Sequence, residues 1–335
     1  MELGLHLGAL HARLPDVGAL ASEAERLGFD SVWAGEAYGN DAATVAAFAA
    51  ARTSRVRIGT AVMQIPARTP AMTAMTALTL DDLSGGRFIL GLGMSGPRVI
   101  EGWHGQPFDH PLTQTREHVA LVRRAIAREA PLTFEGERYR LPLGGTEPLR
   151  STLYPLRTDL PIYLASTGPR NVALAGEIAD GWMPIFFAPA HAAVLEEALA
   201  GGLAQGGRDR ADISIAPMVP VAAGPDLETC RTEIRRYLAL YLGGMGSRRT
   251  NFYANLVRRY GYEEVDVVQE RFLAGERDAA AEAVPEGLID ELALVGPAGR
   301  IRERLDAWSD AGVHTMICLT QDPAQMAILA EAFGR

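Results

Sequence analysis

Lysine is missing from this chain altogether, and all 32 of its basic residues are arginine. That excludes a lysine Schiff base and a phosphate-gripping lysine, and leaves anion binding to guanidinium groups and backbone N–H groups. Positive charge is in deficit as well. The 41 acidic residues outnumber the basic ones, and the formal net charge of −9 argues against a broad nucleic-acid surface. Cysteine is scarce: Cys230 and Cys318 stand far apart with no C-x-x-C pattern, so neither a disulfide framework nor a zinc site is expected. No histidine–carboxylate spacing suits a metal, so none is expected. There is no basic amino-terminal region followed by a long apolar stretch, and no apolar run reaches the roughly 18 residues of a membrane span. These absences lead to the expectation of a soluble protein of the reducing cytoplasm, with no membrane or nucleic-acid partner.

What is present is a rhythm. Short apolar runs alternate with segments of helical spacing across 335 residues, 48% of them hydrophobic, where one (β/α)8 barrel takes about 250 residues before insertions. A strand is expected at 3–7 and a helix over 16–27 that Gly28 closes. A strand at 31–34, a loop 35–40, Asp41 as N-cap and a helix 42–52 follow. A strand at 56–62 leads to a helix 70–83 with proline in its first turn. The stretch 84–97 (Ser-Gly-Gly-Arg-Phe-Ile-Leu-Gly-Leu-Gly-Met-Ser-Gly-Pro) then supplies a fourth buried strand over 87–91. Gly91, Gly93 and Gly96 should leave open backbone just beyond its carboxyl end, where a flat ligand can approach. Their G-x-G-x-x-G spacing is not followed by a dinucleotide-binding unit.

A long loop, 96–111, a basic amphipathic helix, 112–129, and a hairpin, 131–143, interrupt the alternation. It resumes with strands at 161–165, 181–184, 213–221 and 314–320, and with helices opening near Pro169, Pro189 and Pro323. Residues 226–312 read as mostly helical and too long for one crossover. Eight strands and eight connections predict a (β/α)8 TIM barrel over residues 1–335, a single domain with insertions at about 131–158 and within 226–290.

Barrel chemistry sits at the carboxyl ends of the strands. That rule selects Gly8, Glu36, Val62, Met63, Gln64, Gly93, Met94, Ser95, Ser166, Thr167, Gly168 and the segment 183–186. Glu36 is the one carboxylate directly behind a strand, suited to proton transfer or to fixing a ligand. His6 alternates with Leu5 and Leu7 and should point inward; His104, beside Trp103 in the long loop, is a candidate acid, base or lid residue. The start of the helix at Pro169, with Thr167, Gly168 and Arg170, suits a phosphate or carboxylate.

With these residues assembled, the sequence resembles the luciferase-like flavin and deazaflavin oxidoreductases, most of all their actinobacterial F420-dependent branch. The resemblance rests on Gly35-Glu36-Ala37-Tyr38, Gln64-Ile65-Pro66-Ala67-Arg68-Thr69-Pro70, the stretch 84–97, Glu101-Gly102-Trp103-His104-Gly105 and the run 173–184. It implies an isoalloxazine-like ring across the barrel mouth, its phosphate near the helix after strand five, and a non-prolyl cis peptide near Ala61–Val62. It implies coenzyme F420 as cofactor (FMN as the alternative), hydride exchange with a small organic substrate, and a homodimer; a two-component FMN-dependent monooxygenase of the same fold and a non-catalytic flavin- or deazaflavin-binding protein are the alternatives. Glu36 would donate or accept a proton, or orient the ring. Arg68, Arg98 and Arg170 would meet the cofactor's acidic tail. Where many relatives carry Asp-His after strand two, this chain has Glu36-Ala37, so an imidazole at that point is missing.

Overall fold

A computed structural model describes residues 1–8, 13–245 and 251–335; residues 246–250 of the expected second insertion therefore lie outside the described residues. Eight parallel strands form the frame: β1 (Glu2–Leu7), β2 (Ser31–Ala34), β3 (Arg57–Thr60), β4 (Phe88–Gly93), β5 (Ile162–Ala165), β6 (Gly181–Met183), β7 in two pieces (Ser214–Ile215 and Met218–Ala223) and β8 (Thr315–Leu319). Each pairs with its neighbour in chain order, and β1 also pairs β8. The first piece of β7 pairs β6 and the second pairs β8. Bonds from Ala216 N to Trp182 O and from Ile317 N to Pro217 O carry the ladder through the break at Pro217. The sheet is closed. This is the TIM barrel expected from the alternation.

Closure explains the continuous apolar runs, because each strand is buried on both faces. Leu3, Leu5, Leu7, Val32, Ala34, Phe88, Leu90 and Leu92 join the shell between sheet and helices. The alternate residues Trp33, Ile89, Tyr163, Met183 and Ile317 fill the barrel itself. The Trp33 and Tyr163 rings lie 5.8 Å apart. They fit only because the facing positions are glycine: a Cβ on Gly59 would lie 2.2 Å from Trp33, and one on Gly181 2.4 Å from Tyr163.

Local signals hold where they have a physical cause. Asp16 and Asp41 cap the helices Val17–Arg26 and Ala42–Ala50, their carboxylates accepting from Ala19 N and Thr44 N. Gly28 follows the first helix at φ +80°, a conformation costly for any residue with a Cβ. Other expectations are corrected. β4 runs on to Gly93, so Gly91 and Gly93 are strand residues and not an open loop. The loop after it contains a short helix, Pro97–Gly102. A further strand, Leu294–Gly296, adds to the far end of β7; three apolar residues between helices carry no readable period. Residues 134–141 form the short antiparallel hairpin, held down by Glu117, whose carboxylate accepts from the N–H groups of Glu137, Arg138 and Tyr139. No helix among the described residues is long and apolar enough to cross a membrane.

Candidate active site

The last inward layer at the carboxyl end of the barrel is made of small or narrow side chains. Ala61 belongs to the barrel-filling cluster, with Val62, Ala165 and Met218 packed against it. A Cβ on Gly93 would stand 2.7 Å from Val62 Cγ2 and 3.5 Å from Ala165 Cβ. The mouth thus has a shallow, apolar floor on which a planar ring can rest.

The edge of that floor is a bulge between β3 and β4. Pairing stops after Gly59–Ile89 and resumes with Met63–Leu92 and Gln64–Gly93. Between them lies a non-prolyl cis peptide, Ala61–Val62, at the position the sequence resemblance implies. The Thr60 hydroxyl bridges the interrupted ladder, accepting from Gly91 N (2.9 Å) and donating to Gly91 O (2.7 Å). A Cβ on Gly91 would lie 1.8 Å from Thr60 O, so this glycine answers to the neighbouring strand and not to a ligand. Bulges of this kind recur at barrel rims beside active sites.

Glu36 is the clamp on the bulge. Its carboxylate accepts from Gln64 N (3.1 Å), Ala42 N (3.0 Å) and the Arg68 guanidinium (2.7 Å). Arg68 also pairs with Asp41. Burial opposes the charge on Arg68, yet the two carboxylates outweigh it and raise the guanidinium's pKa. With both carboxylates on it, Arg68 has no charge left for a cofactor's acidic tail, which corrects that expectation. Gln64 completes the clamp, its amide N–H donating to Ala37 O.

Around the floor, polar atoms are buried without hydrogen-bond partners among the described residues. They are His6 Nδ1, Gln64 Oε1 and Ser166 Oγ, at the ends of β1, β3 and β5. His6 points inward as expected, since Leu5 and Leu7 face the outer shell. Its ring occupies the space left by Gly8 and Gly35, and burial lowers its pKa from 6.5 to about 4. The imidazole is therefore neutral at physiological pH. An orphaned buried polar atom forfeits about 1–3 kcal/mol, and three around one floor fit the polar edge of a bound heterocycle. Two non-glycine residues just past barrel strands, Ser95 and Phe186, both at φ 56°, sit in the strained left-handed region that gathers at functional sites.

The predicted anion end lies behind β5. The helix Pro169–Ile178 has Gly168 as N-cap and no side-chain cap, so its first N–H groups are open to a ligand. A Cβ on Gly168 would meet nothing within 4 Å. Arg170 is exposed, and among the described residues it has no ion-pair partner. Thr167 and Met94 are half-buried, and Met63 is fully buried. His104 is set behind the helix Pro97–Gly102, its backbone N–H donating to Val99 O (3.2 Å), with Nε2 buried and without a partner among the described residues. A cavity of about 480 Å³ lined by Glu2, Arg57, Tyr163 and His314 opens at the opposite, amino-terminal end, the face that serves stability in such barrels.

Sequence reasoning missed an aromatic cluster beyond β6. Phe186 is fully buried and makes edge contacts to Tyr237, Tyr241 and Tyr253 at ring separations of 6.3, 5.6 and 5.5 Å. The available signals were the Ile-Phe-Phe run after β6 and the i, i+4 tyrosines on the helix Leu227–Ala239 and the turn after it. Neither says which strand end they meet.

The chain matches the family described as luciferase-like monooxygenase over residues 2–315. It is 46% identical, over 98% of each chain, to a Mycobacterium tuberculosis protein named provisionally as a coenzyme F420-dependent oxidoreductase. It is 26% identical to the 5,10-methylenetetrahydromethanopterin reductase of Methanolobus tindarius, over 89% of this chain and 87% of the relative. Among solved structures, the coenzyme F420-dependent tetrahydromethanopterin reductase of Methanopyrus kandleri superposes with a TM-score of 0.85 at 21% identity, covering 99% and 97% of the two chains. An F420-dependent secondary alcohol dehydrogenase, solved with an F420–acetone adduct, superposes at 0.80 with 20% identity and the same coverage. The match over nearly the whole length, on a barrel with its bulge beside the mouth, leads to one conclusion: this chain belongs to the luciferase-like monooxygenase family.

Proposed function

We propose that this protein is a coenzyme F420-dependent oxidoreductase acting on a small organic substrate. The observation that carries the reading is the ring of three orphaned polar atoms, His6 Nδ1, Gln64 Oε1 and Ser166 Oγ, around a floor of small residues. The names of its relatives support F420 over other planar cofactors. When bound, the deazaflavin supplies hydride chemistry at its C5. The chain's own part is positioning. Backbone at Ala61, Val62 and Met63, with Gly93, Met94 and Ser95, would hold the ring, and the unpartnered Gln64 Oε1 would accept from it. Ser166, Thr167, Gly168 and Arg170 would hold the phosphate, and Arg98, exposed on its helix and bonded to Gly244 O, would face the acidic tail. His6, neutral and buried, serves as acceptor toward the substrate or ring. Glu36 acts through the bulge it clamps.

Fluorescence titration with F420 and with FMN tests the reading. Saturable F420 quenching is expected. Micromolar FMN binding without F420 binding would replace it with a reduced-flavin monooxygenase of the same fold.

A homodimer is part of the same proposal. The adjacent helices Ala42–Ala50 and Pro70–Ser84 expose Phe48, Met72, Met75 and Leu83, an apolar face of the kind that partners cover. Met75→Glu is expected to shift the sedimentation coefficient from dimer to monomer; a monomeric parent protein ends this part of the proposal.

A further inference from the structure

The cluster beyond β6 has the makings of a substrate wall. Phe186 anchors it at the barrel's carboxyl end, and Tyr241 sits in the π-helical turn Leu240–Gly244. Such turns are rare and favour functional sites. One hydrogen bond ties this turn to the mouth: Arg98, in the helix behind β4, donates to Gly244 O (3.4 Å). Burial raises the Tyr241 hydroxyl's pKa, the neighbouring Tyr237 hydroxyl lowers it, and Tyr38, in the loop behind β2, is near enough to raise it further. The wall therefore reaches from the β6 side toward the β2 and β4 loops.

We propose that this wall selects an uncharged substrate with a flat aromatic body and a carbonyl oxygen, and that the Tyr237 hydroxyl donates to that oxygen. The Tyr237 hydroxyl is buried and makes no hydrogen bond of acceptable geometry among the described residues; the Tyr241 hydroxyl, on a ring 4.6 Å away, is close enough to pull on its proton, so a carbonyl oxygen would take this donor in competition with Tyr241. Burial raises the pKa of all three phenols, so each remains a neutral O–H. A carboxylate or ammonium set among the three phenols would lose its hydration and gain no counter-charge from them. A ketone oxygen gains a hydrogen bond there, and an aromatic body gains the edge contacts the tyrosines already make with Phe186. The proposal rests on the F420 reading for the reaction the substrate undergoes, but the selection itself belongs to the protein.

The test compares acetophenone with ethylbenzene, the same ring with and without the oxygen. Calorimetric titration is made into the F420-loaded protein and into the protein alone. Tyr237→Phe should loosen acetophenone about two- to tenfold, the worth of one neutral hydrogen bond, and leave ethylbenzene unmoved. The fluorescence-measured F420 affinity should also stay unchanged. Undetectable acetophenone binding, equal losses for both compounds, no loss, or tighter binding of benzyltrimethylammonium than of acetophenone overturns the proposal. If the acetophenone pattern holds while F420 fails to bind, the cofactor reading falls and the wall stands.

Discussion

Replacing Glu36 with glutamine keeps shape and removes charge, which separates a clamp from a proton carrier. In the parent protein one carboxylate satisfies two backbone N–H groups and half of Arg68's pairing. In the variant the amide NH2 must face one of those donors. Removing one partner of a buried ion pair costs about 3–5 kcal/mol. Arg68 keeps Asp41 and its side chain retains 15% exposure, so about 2–3 kcal/mol is expected here. An unfolding entropy of about 2.1 cal/mol/K per residue over 335 residues converts this to a melting point lower by about 3–4 °C. Loosening Gln64 N also loosens the bulge beneath the cofactor, and F420 affinity should fall about tenfold, equivalent to about 1.4 kcal/mol. Differential scanning calorimetry and F420 fluorescence titration read the two effects. If Glu36→Gln keeps both melting point and affinity while turnover drops a hundredfold, Glu36 is the proton-transferring group and the clamp argument is wrong.

Gly91→Ala places a methyl 1.8 Å from Thr60 O, so β3 and β4 must separate; a loss of about 2 kcal/mol or more, measured by urea denaturation, is expected, against little change for Gly102→Ala, which meets nothing within 4 Å. The pH dependence of stability is led by two buried imidazoles, His6 with a pKa lowered to about 4 and His118 lowered to about 3, both by burial, with the partly buried His314 lowered as well. The unfolded chain takes up these protons near pH 6.5 and the folded chain refuses them. Stability is therefore full above pH 6.5 and is lost as the pH falls toward the folded values, with a slope approaching about 1.4 kcal/mol per pH unit for each histidine. His118→Gln should cut the slope between pH 6 and 5 by about a third to a half; an unchanged slope refutes the assignment.

The barrel was legible because a strand buried on both faces must be apolar throughout, and a helix on its outside must repeat at 3.6 residues. Strand ends were legible for the same reason, and they led to Glu36, Gln64 and Ser166 by position alone. What those residues touch was not. Arg68 and Asp41 lie 32 and 5 positions from Glu36 along the chain, and only closure of the barrel mouth makes the three a single clamp.

Gly91 and Gly93 mark the boundary between the two kinds of knowledge. Their presence shows that something comes close, because only glycine lacks the atom that would collide. The sequence by itself determined the alternation, the closed parallel barrel and the end of it where chemistry gathers, since each follows from local periodicity and burial. Tertiary structure decided that Gly91 makes room for Thr60 and not for a ligand. It also turned Arg68 inward to two carboxylates and brought Tyr237 and Tyr241 over the end of β6. Those outcomes depend on which distant surfaces meet, and contacts between residues far apart in the chain leave no period for a sequence to show.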